Sequence, residues 1–160
     1  MIATNIYGPK LMTEAFIPLI DSTCGRIVNV SSGMGPRYIS KLDEAGQKFW
    51  SSEPHTWSEL EPAFQALFAG MSPDDKVDAY SLTKSVLNKY TETAAKENPS
   101  ILMSSVSPGF IDTGLAKGFG ASATPEQGCV SSLKCLFDDL PGNGFHFGSD
   151  SNRSPLHFER

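Results

Sequence analysis

Apolar positions in the first part of the chain change from a helical spacing to a short continuous run. In residues 3–20 most large apolar side chains are compatible with one helical face, which predicts an amphipathic helix that ends near Pro18. Residues 26–32, RIVNVSS, form a β-branched run bounded by glycine. Such a run is typical of a buried strand, so the chain is predicted to begin with a helix and a strand.

The pattern weakens from residue 33 to residue 70, and we interpret this region as a helical insertion. Residues 40–50 and 58–70 each have enough apolar residues at helical spacing for one short helix, and the second of these ends at a glycine.

A longer helix is predicted after the insertion. Its N-cap is Ser72, proline stands in its first turn, and it should run to about Glu97.

Strands and helices continue to alternate in the rest of the sequence. Residues 101–107 are predicted to form a second strand, and the capping box that begins at Thr124 predicts a third helix. Residues 142–150 allow a short last strand, and the tail after them is predicted to be loop. This order implies an α/β fold with a parallel sheet of about three strands and right-handed crossovers.

Composition and charge narrow the possible functions. The 160 residues are 39% apolar, which suits one globular domain over 1–160. The net charge of −5 with scattered basic residues argues against a nucleic-acid partner, and no apolar run approaches the ~20 residues of a membrane span. Three cysteines without CxxC spacing predict free thiols and no metal site. With no leader pattern at its start, the chain is predicted to be cytoplasmic.

Polar side chains are predicted to converge at the carboxyl ends of the first two strands. The serine pair 31–32 ends the first strand, and residues 107–109 end the second. Tyr80 and Lys84 are four positions apart in the long helix, so both can face the same crevice. An ammonium beside a phenol favours the phenolate, and a tyrosine in that setting can donate and recover a proton. A tyrosine and a lysine four positions apart also occur often by chance. The alternative interpretation is therefore that Tyr80 and Lys84 are ordinary polar residues on a helix surface.

Four stretches, in order along nearly the whole chain, resemble the short-chain dehydrogenase/reductase family. They are TNIYGPKLMTEAFIPLI, GRIVNVSSGMG, YSLTK and VSPGFIDT. The resemblance implies a partial Rossmann-like three-layer sandwich, the C-terminal half of a doubly wound parallel sheet, with 33–70 as its helical insertion. It also implies an oxidoreductase that reduces a small-molecule carbonyl to an alcohol by hydride transfer from NADPH or NADH.

The resemblance also assigns roles to individual residues. Tyr80 would be the general acid and base, and Lys84 would bind the nicotinamide ribose and ease the ionisation of the tyrosine. Ser32, in preference to Ser31, would bind the substrate carbonyl, and Asn5 would hold a water of the proton relay. Besides Tyr80 and Lys84, the cofactor-binding residues would be Pro108, Gly109 and Thr113.

The long separation of Ser32 and Tyr80 resembles the monomeric carbonyl-reductase branch of the family. In that branch an inserted helical segment covers the face that other members use to pair subunits, so a monomer is expected for a complete protein. An unrelated surface loop is the alternative interpretation of the same residues.

One expected motif is missing from the sequence. No glycine-rich turn opens a helix after a first strand, where backbone amides would receive the cofactor pyrophosphate. At roughly 30 residues per strand-helix unit, on the order of a hundred further residues are expected upstream in a complete enzyme. The resemblance therefore predicts catalytic residues with weak cofactor binding. The alternative function is a truncated, non-catalytic remnant that pairs its open sheet edge with another chain.

Overall fold

The first helical segment has three parts, followed by a strand. A computed structural model describes residues 1–114, 116 and 118–154. A wide π-helical turn at Ala3–Tyr7 leads into helix α1 at Gly8–Phe16 and a 3₁₀ turn at Ile17–Leu19. Strand β1 follows at Arg26–Val30. The predicted helix and strand are confirmed, although the helix is not a regular α-helix throughout.

Three helices occupy the region predicted to hold two. They are α2 at Met34–Ile39, α3 at Glu44–Ser51 and α4 at Trp57–Ala69. The missed helix, α2, is short and contains glycine and proline, so its sequence gives little helical signal. Close packing holds it in place: a Cβ atom on Gly35 would lie 2.9 Å from the backbone nitrogen of Ser85.

The long predicted helix and the strands after it are present. Helix α5 spans Lys76–Glu97, strand β2 spans Leu102–Val106, helix α6 spans Pro125–Phe137 and strand β3 spans Phe145–Phe147. The capping box at Thr124 is formed as predicted. Helix α5 begins later than predicted because the residues before it form a turn.

The described residues form one four-stranded sheet in the order β1-β2-β3-β4. The first three strands are parallel, whereas β4, Arg153–Ser154, pairs antiparallel with β3. The prediction of loop is therefore wrong for β4, because a tight turn between Gly148 and Asn152 returns the chain along β3. The last part of the predicted loop, residues 155–160, lies outside the described residues.

Helices cover both faces of the sheet. The Asn29 amide donates to the Thr91 hydroxyl in α5, whereas the Arg26 guanidinium donates to the Cys135 carbonyl in α6. Since adjacent residues of a strand point to opposite faces, α5 and α6 lie on opposite sides, and the predicted three-layer α/β class is confirmed. Strands β1, β2 and β3 follow one another in one direction across the sheet. Because the helices that connect them lie on opposite faces, the two crossovers have opposite hands. The prediction that both are right-handed is wrong for one of them.

Aromatic rings join α4 to the first helical segment and to α5. The Trp57 ring lies 5.9 Å from the Tyr7 ring and 5.8 Å from the Tyr90 ring, both edge to face. Leu60 and Phe64 of the same helix are fully buried. Helix α4 therefore covers the outer face of the pair formed by the first helical segment and α5. The burial of the apolar side chains of α4 stabilises this packing.

Candidate active site

Lys84 ties the end of β1 to helix α5. Its Nζ donates to the Val30 carbonyl at 3.0 Å, and its own carbonyl accepts a hydrogen bond from the Ser31 hydroxyl at 3.2 Å. Ser31 is buried, whereas Ser32 is partly exposed. The Ser32 hydroxyl oxygen accepts the Met34 amide at 3.2 Å, which leaves its hydrogen free to donate to a ligand. Of the two serines, Ser32 is the one whose hydroxyl a ligand could reach.

The ends of β1 and β2 are joined directly. The Gly33 amide donates to the Ser107 hydroxyl at 3.1 Å. Pro108 and Gly109 follow, and Gly109 has a φ of 88°, a conformation that favours glycine. The structure therefore brings Ser32 and the Pro108–Gly109 segment to the same end of the sheet, as the sequence predicts for parallel strands.

Tyr80 and Lys84 face each other across one turn of α5. The Lys84 Nζ lies 5.7 Å from the centroid of the Tyr80 ring. The tyrosine is 36% exposed, so a ligand can reach it, whereas Lys84 is partly buried. Burial lowers the pKa of Lys84, because the ammonium loses hydration that the protein only partly replaces. The pair can act as a proton donor with an adjacent cation.

Asn5 is held against the turn of α5 that carries the tyrosine. Its side-chain amide donates to the Thr83 hydroxyl at 3.0 Å, and that hydroxyl donates to the Tyr80 carbonyl at 2.6 Å. Asn5 lies in the π-helical turn, a feature that occurs often at functional sites. Sequence reasoning missed Thr83, although its position three residues after Tyr80 was the available signal.

A cavity of about 380 Å³ lies beside the end of β2. Pro108 and Gly109 line it, together with Gln127 near the start of α6 and Ser149 after β3. Thr113 is exposed and is not among the residues that line this cavity. Of the predicted cofactor residues in this segment, Pro108 and Gly109 line the cavity, whereas Thr113 does not.

The residues that the structure describes contain neither a candidate metal site nor a membrane-spanning helix. Within 1–114, 116 and 118–154, no group of three His, Cys, Asp or Glu side chains could hold a metal ion. The helices of the same residues include none with the length and apolarity that a membrane crossing needs.

The sequence and the fold are similar to those of known reductases, although no family model matches the sequence. The chain is 35% identical to (+)-neomenthol dehydrogenase from Arabidopsis thaliana, over 83% of this chain and 48% of that protein. It is 28% identical to carbonyl reductase [NADPH] 1 from Macaca fascicularis, over 89% of this chain and 55% of that protein. The structure matches salutaridine reductase from Papaver somniferum with a TM-score of 0.73 and 27% identity, covering 89% and 51% of the two chains. The chain spans about half the length of the curated relatives it matches.

Proposed function

Because the chain is homologous to reductases of the short-chain dehydrogenase/reductase family, we propose that it carries the proton-transfer residues of an NADPH-dependent carbonyl reductase. One observation carries the proposal: Tyr80 and Lys84 occupy successive turns of α5, and Lys84 also contacts the end of β1, where Ser32 follows. The substrate class is a small-molecule ketone or aldehyde. NADPH is favoured over NADH because a relative's name specifies it.

The residues present fit the nicotinamide end of NADPH. Gly109 adopts a positive φ beside the 380 Å³ cavity, so the backbone there can approach a flat ring closely. In this proposal the Lys84 ammonium donates to the ribose hydroxyls. When bound, the cofactor supplies the hydride. The sequence contains no glycine-rich turn for the pyrophosphate, so the affinity of this chain for NADPH is expected to be low.

In the proposed reaction Ser32 and Tyr80 act on the carbonyl oxygen. Both hydroxyls donate hydrogen bonds to this oxygen and stabilise the negative charge that develops as the carbon is reduced. Tyr80 then transfers its proton to the oxygen, which completes the alcohol. The Lys84 ammonium stabilises the phenolate that remains, and Asn5 orders the water through which the tyrosine recovers a proton.

The proposal is tested by titrating the 160-residue chain with NADPH and following nicotinamide fluorescence, then adding menthone as a cyclic ketone. We expect a saturable fluorescence change and ketone-dependent oxidation of NADPH. Lys84→Met should weaken NADPH binding, because it removes the cation and keeps a side chain of similar length. A folded chain that shows no saturable change would instead support the non-catalytic remnant.

The serine pair provides a prediction about which hydroxyl acts on the substrate. Ser32→Ala is expected to lower the rate of reduction by about 10²-fold, because one donor to the developing oxyanion is lost. Ser31→Ala is expected to lower the free energy of unfolding by about 1 kcal/mol, because the hydrogen bond from the buried Ser31 hydroxyl to the Lys84 carbonyl is lost. Single-turnover kinetics and urea denaturation of both variants measure these effects. The opposite pattern would assign the catalytic role to Ser31.

We also propose that the complete protein is a cytoplasmic monomer. Helix α4 covers the first helical segment and α5 through the aromatic contacts of Trp57. A second copy could not pack on this helix pair without displacing α4. Sedimentation of the complete protein would test the monomer, and a dimer built on α1 and α5 would contradict it.

A further inference from the structure

Asn5 lies in the middle of an unusual helical turn. Ala3–Tyr7 is π-helical, and the Gly8 amide closes the turn by donating to the Ala3 carbonyl. A π-helical turn is rare, so it persists only where surrounding contacts stabilise it. If the turn relaxed to α-helical geometry, its first residues would rotate by about 100° relative to α1, which is the step of one residue. The side chain of Asn5 would then point away from its present partner.

Helix α5 holds one side of the π-helical turn. The Asn5 side-chain amide donates to the Thr83 hydroxyl at 3.0 Å, and Thr83 is fully buried. The hydroxyl donates its own hydrogen to the Tyr80 carbonyl, so its direction is fixed. Ile6, the next residue of the turn, is also buried. The placement of Asn5 therefore depends on the geometry of this turn.

Helix α4 of the insertion holds the other side of the turn through Tyr7. The Tyr7 hydroxyl donates to Oε1 of Glu61 at 2.5 Å and accepts a hydrogen bond from the Gln65 side-chain amide at 3.2 Å. Its ring packs edge to face on Trp57 and Phe64, with centroids 5.9 Å and 6.2 Å away. The last residue of the turn is therefore fixed in both position and orientation.

Glu61 is the centre of these contacts. One carboxylate oxygen accepts from Tyr7, and the other accepts from the indole nitrogen of Trp57 at 3.0 Å. Hydrogen bonds to an ionised carboxylate are stronger than those between neutral groups. The bond also raises the pKa of Tyr7, because the carboxylate favours the protonated phenol. The Tyr7 phenol therefore stays protonated and bound to α4.

We propose that Glu61 is a positioning residue for Asn5. Through the Tyr7 hydroxyl it holds the π-helical turn in the geometry that brings Asn5 to Thr83. Tyr7 follows Asn5 by two positions, so the contact acts across one short backbone segment. The insertion thereby affects the proton relay. This consequence for the reaction rests on the proposed function, whereas the effect on the position of Asn5 does not.

Three substitutions in the 160-residue chain separate this role from a general effect on α4. Tyr7→Phe removes only the hydroxyl and keeps the ring contacts, so the fold should be preserved. Glu61→Gln removes the charge and keeps the size of the side chain. Glu59→Gln is the matched control, because it makes the same change of charge in the same helix. Glu59 caps the start of α4 at Thr56, and glutamine can replace it there.

The position of Asn5 is measured by NMR, without any enzyme assay. Tyr7→Phe and Glu61→Gln should each shift the side-chain amide signals of Asn5. Each should also speed hydrogen exchange of the Gly8 amide, which closes the turn, by about 2- to 10-fold, the equivalent of one hydrogen bond. Glu59→Gln should leave both unchanged. Unmoved Asn5 signals in Tyr7→Phe and Glu61→Gln, or equal shifts in the control, would overturn the proposal.

The consequence for the reaction is measured with a double-mutant cycle between Tyr7→Phe and Thr83→Val. Tyr7→Phe alone should lower kcat for carbonyl reduction by about 10-fold and leave KM for NADPH unchanged, because a displaced Asn5 orders the relay water poorly. In the Thr83→Val background, where Asn5 has already lost its partner, Tyr7→Phe should change kcat by less than about 2-fold.

The outcomes of the cycle and of the NMR measurement are separate. Independent effects would add in the cycle, and additive losses of kcat would overturn the action through Asn5. A chain that oxidises no NADPH would contradict the proposed function. The Asn5 signals of the same variants would still decide whether Glu61 fixes the position of Asn5.

Discussion

Replacing Tyr80 with phenylalanine is expected to lower the rate of carbonyl reduction by about 10²- to 10⁴-fold. The substitution removes one hydroxyl, which in the proposed reaction donates the proton to the carbonyl oxygen. The ring is 36% exposed at the surface of α5, so its packing and the fold should be preserved. Stopped-flow measurement of NADPH oxidation under single-turnover conditions isolates the chemical step from product release.

Tyr90→Phe is the matched control for this prediction. Tyr90 lies in the same helix, but its ring is buried against Trp57, and its hydroxyl contacts the Lys10 carbonyl at 3.4 Å and the Thr13 side chain. The Tyr90→Phe variant should reduce carbonyls at a rate close to that of the unsubstituted chain. A Tyr80→Phe variant that reduces ketones at the normal rate would exclude this tyrosine as the acid.

Acidification from pH 6.5 to pH 4 is expected to cost the fold about 3 kcal/mol through His146 alone. The imidazole is buried in β3, with Nδ1 3.0 Å from the Ser105 hydroxyl, and burial lowers its pKa from 6.5 to about 4. Between these two pH values the unfolded chain binds a proton at this position and the folded chain does not. The free energy of unfolding therefore falls as the pH falls through this window.

Urea denaturation at several pH values, on the chain and on His146→Asn, measures this contribution. Asparagine keeps a polar group near Ser105 but does not titrate, so its stability should depend less steeply on pH between 6.5 and 4. Carboxylates titrate in both proteins and cancel in the comparison. Parallel pH profiles for the two proteins would show that His146 is not kept neutral by the fold.

Local signals predicted most of the helices and strands. The Thr124 capping box and the β-branched run of β1 each involve residues close together in sequence, and both elements formed as expected. Helix α2 was missed because its stability comes from the close approach of Gly35 to α5, a contact between residues far apart in the chain. Strand β4 was missed because two residues carry no periodicity, and pairing with β3 alone defines it.

Some features of the candidate site also follow from the local sequence, whereas others depend on contacts between distant residues. The sequence by itself determined that Tyr80 and Lys84 lie one turn apart, since helical geometry fixes this spacing wherever the helix is placed. Only the tertiary structure decided that Ser31 is buried while Ser32 is accessible, that Asn5 reaches Thr83, and that Lys84 contacts the end of β1. These features depend on which elements pack together, and packing is set by contacts summed over the whole chain and not by any local pattern.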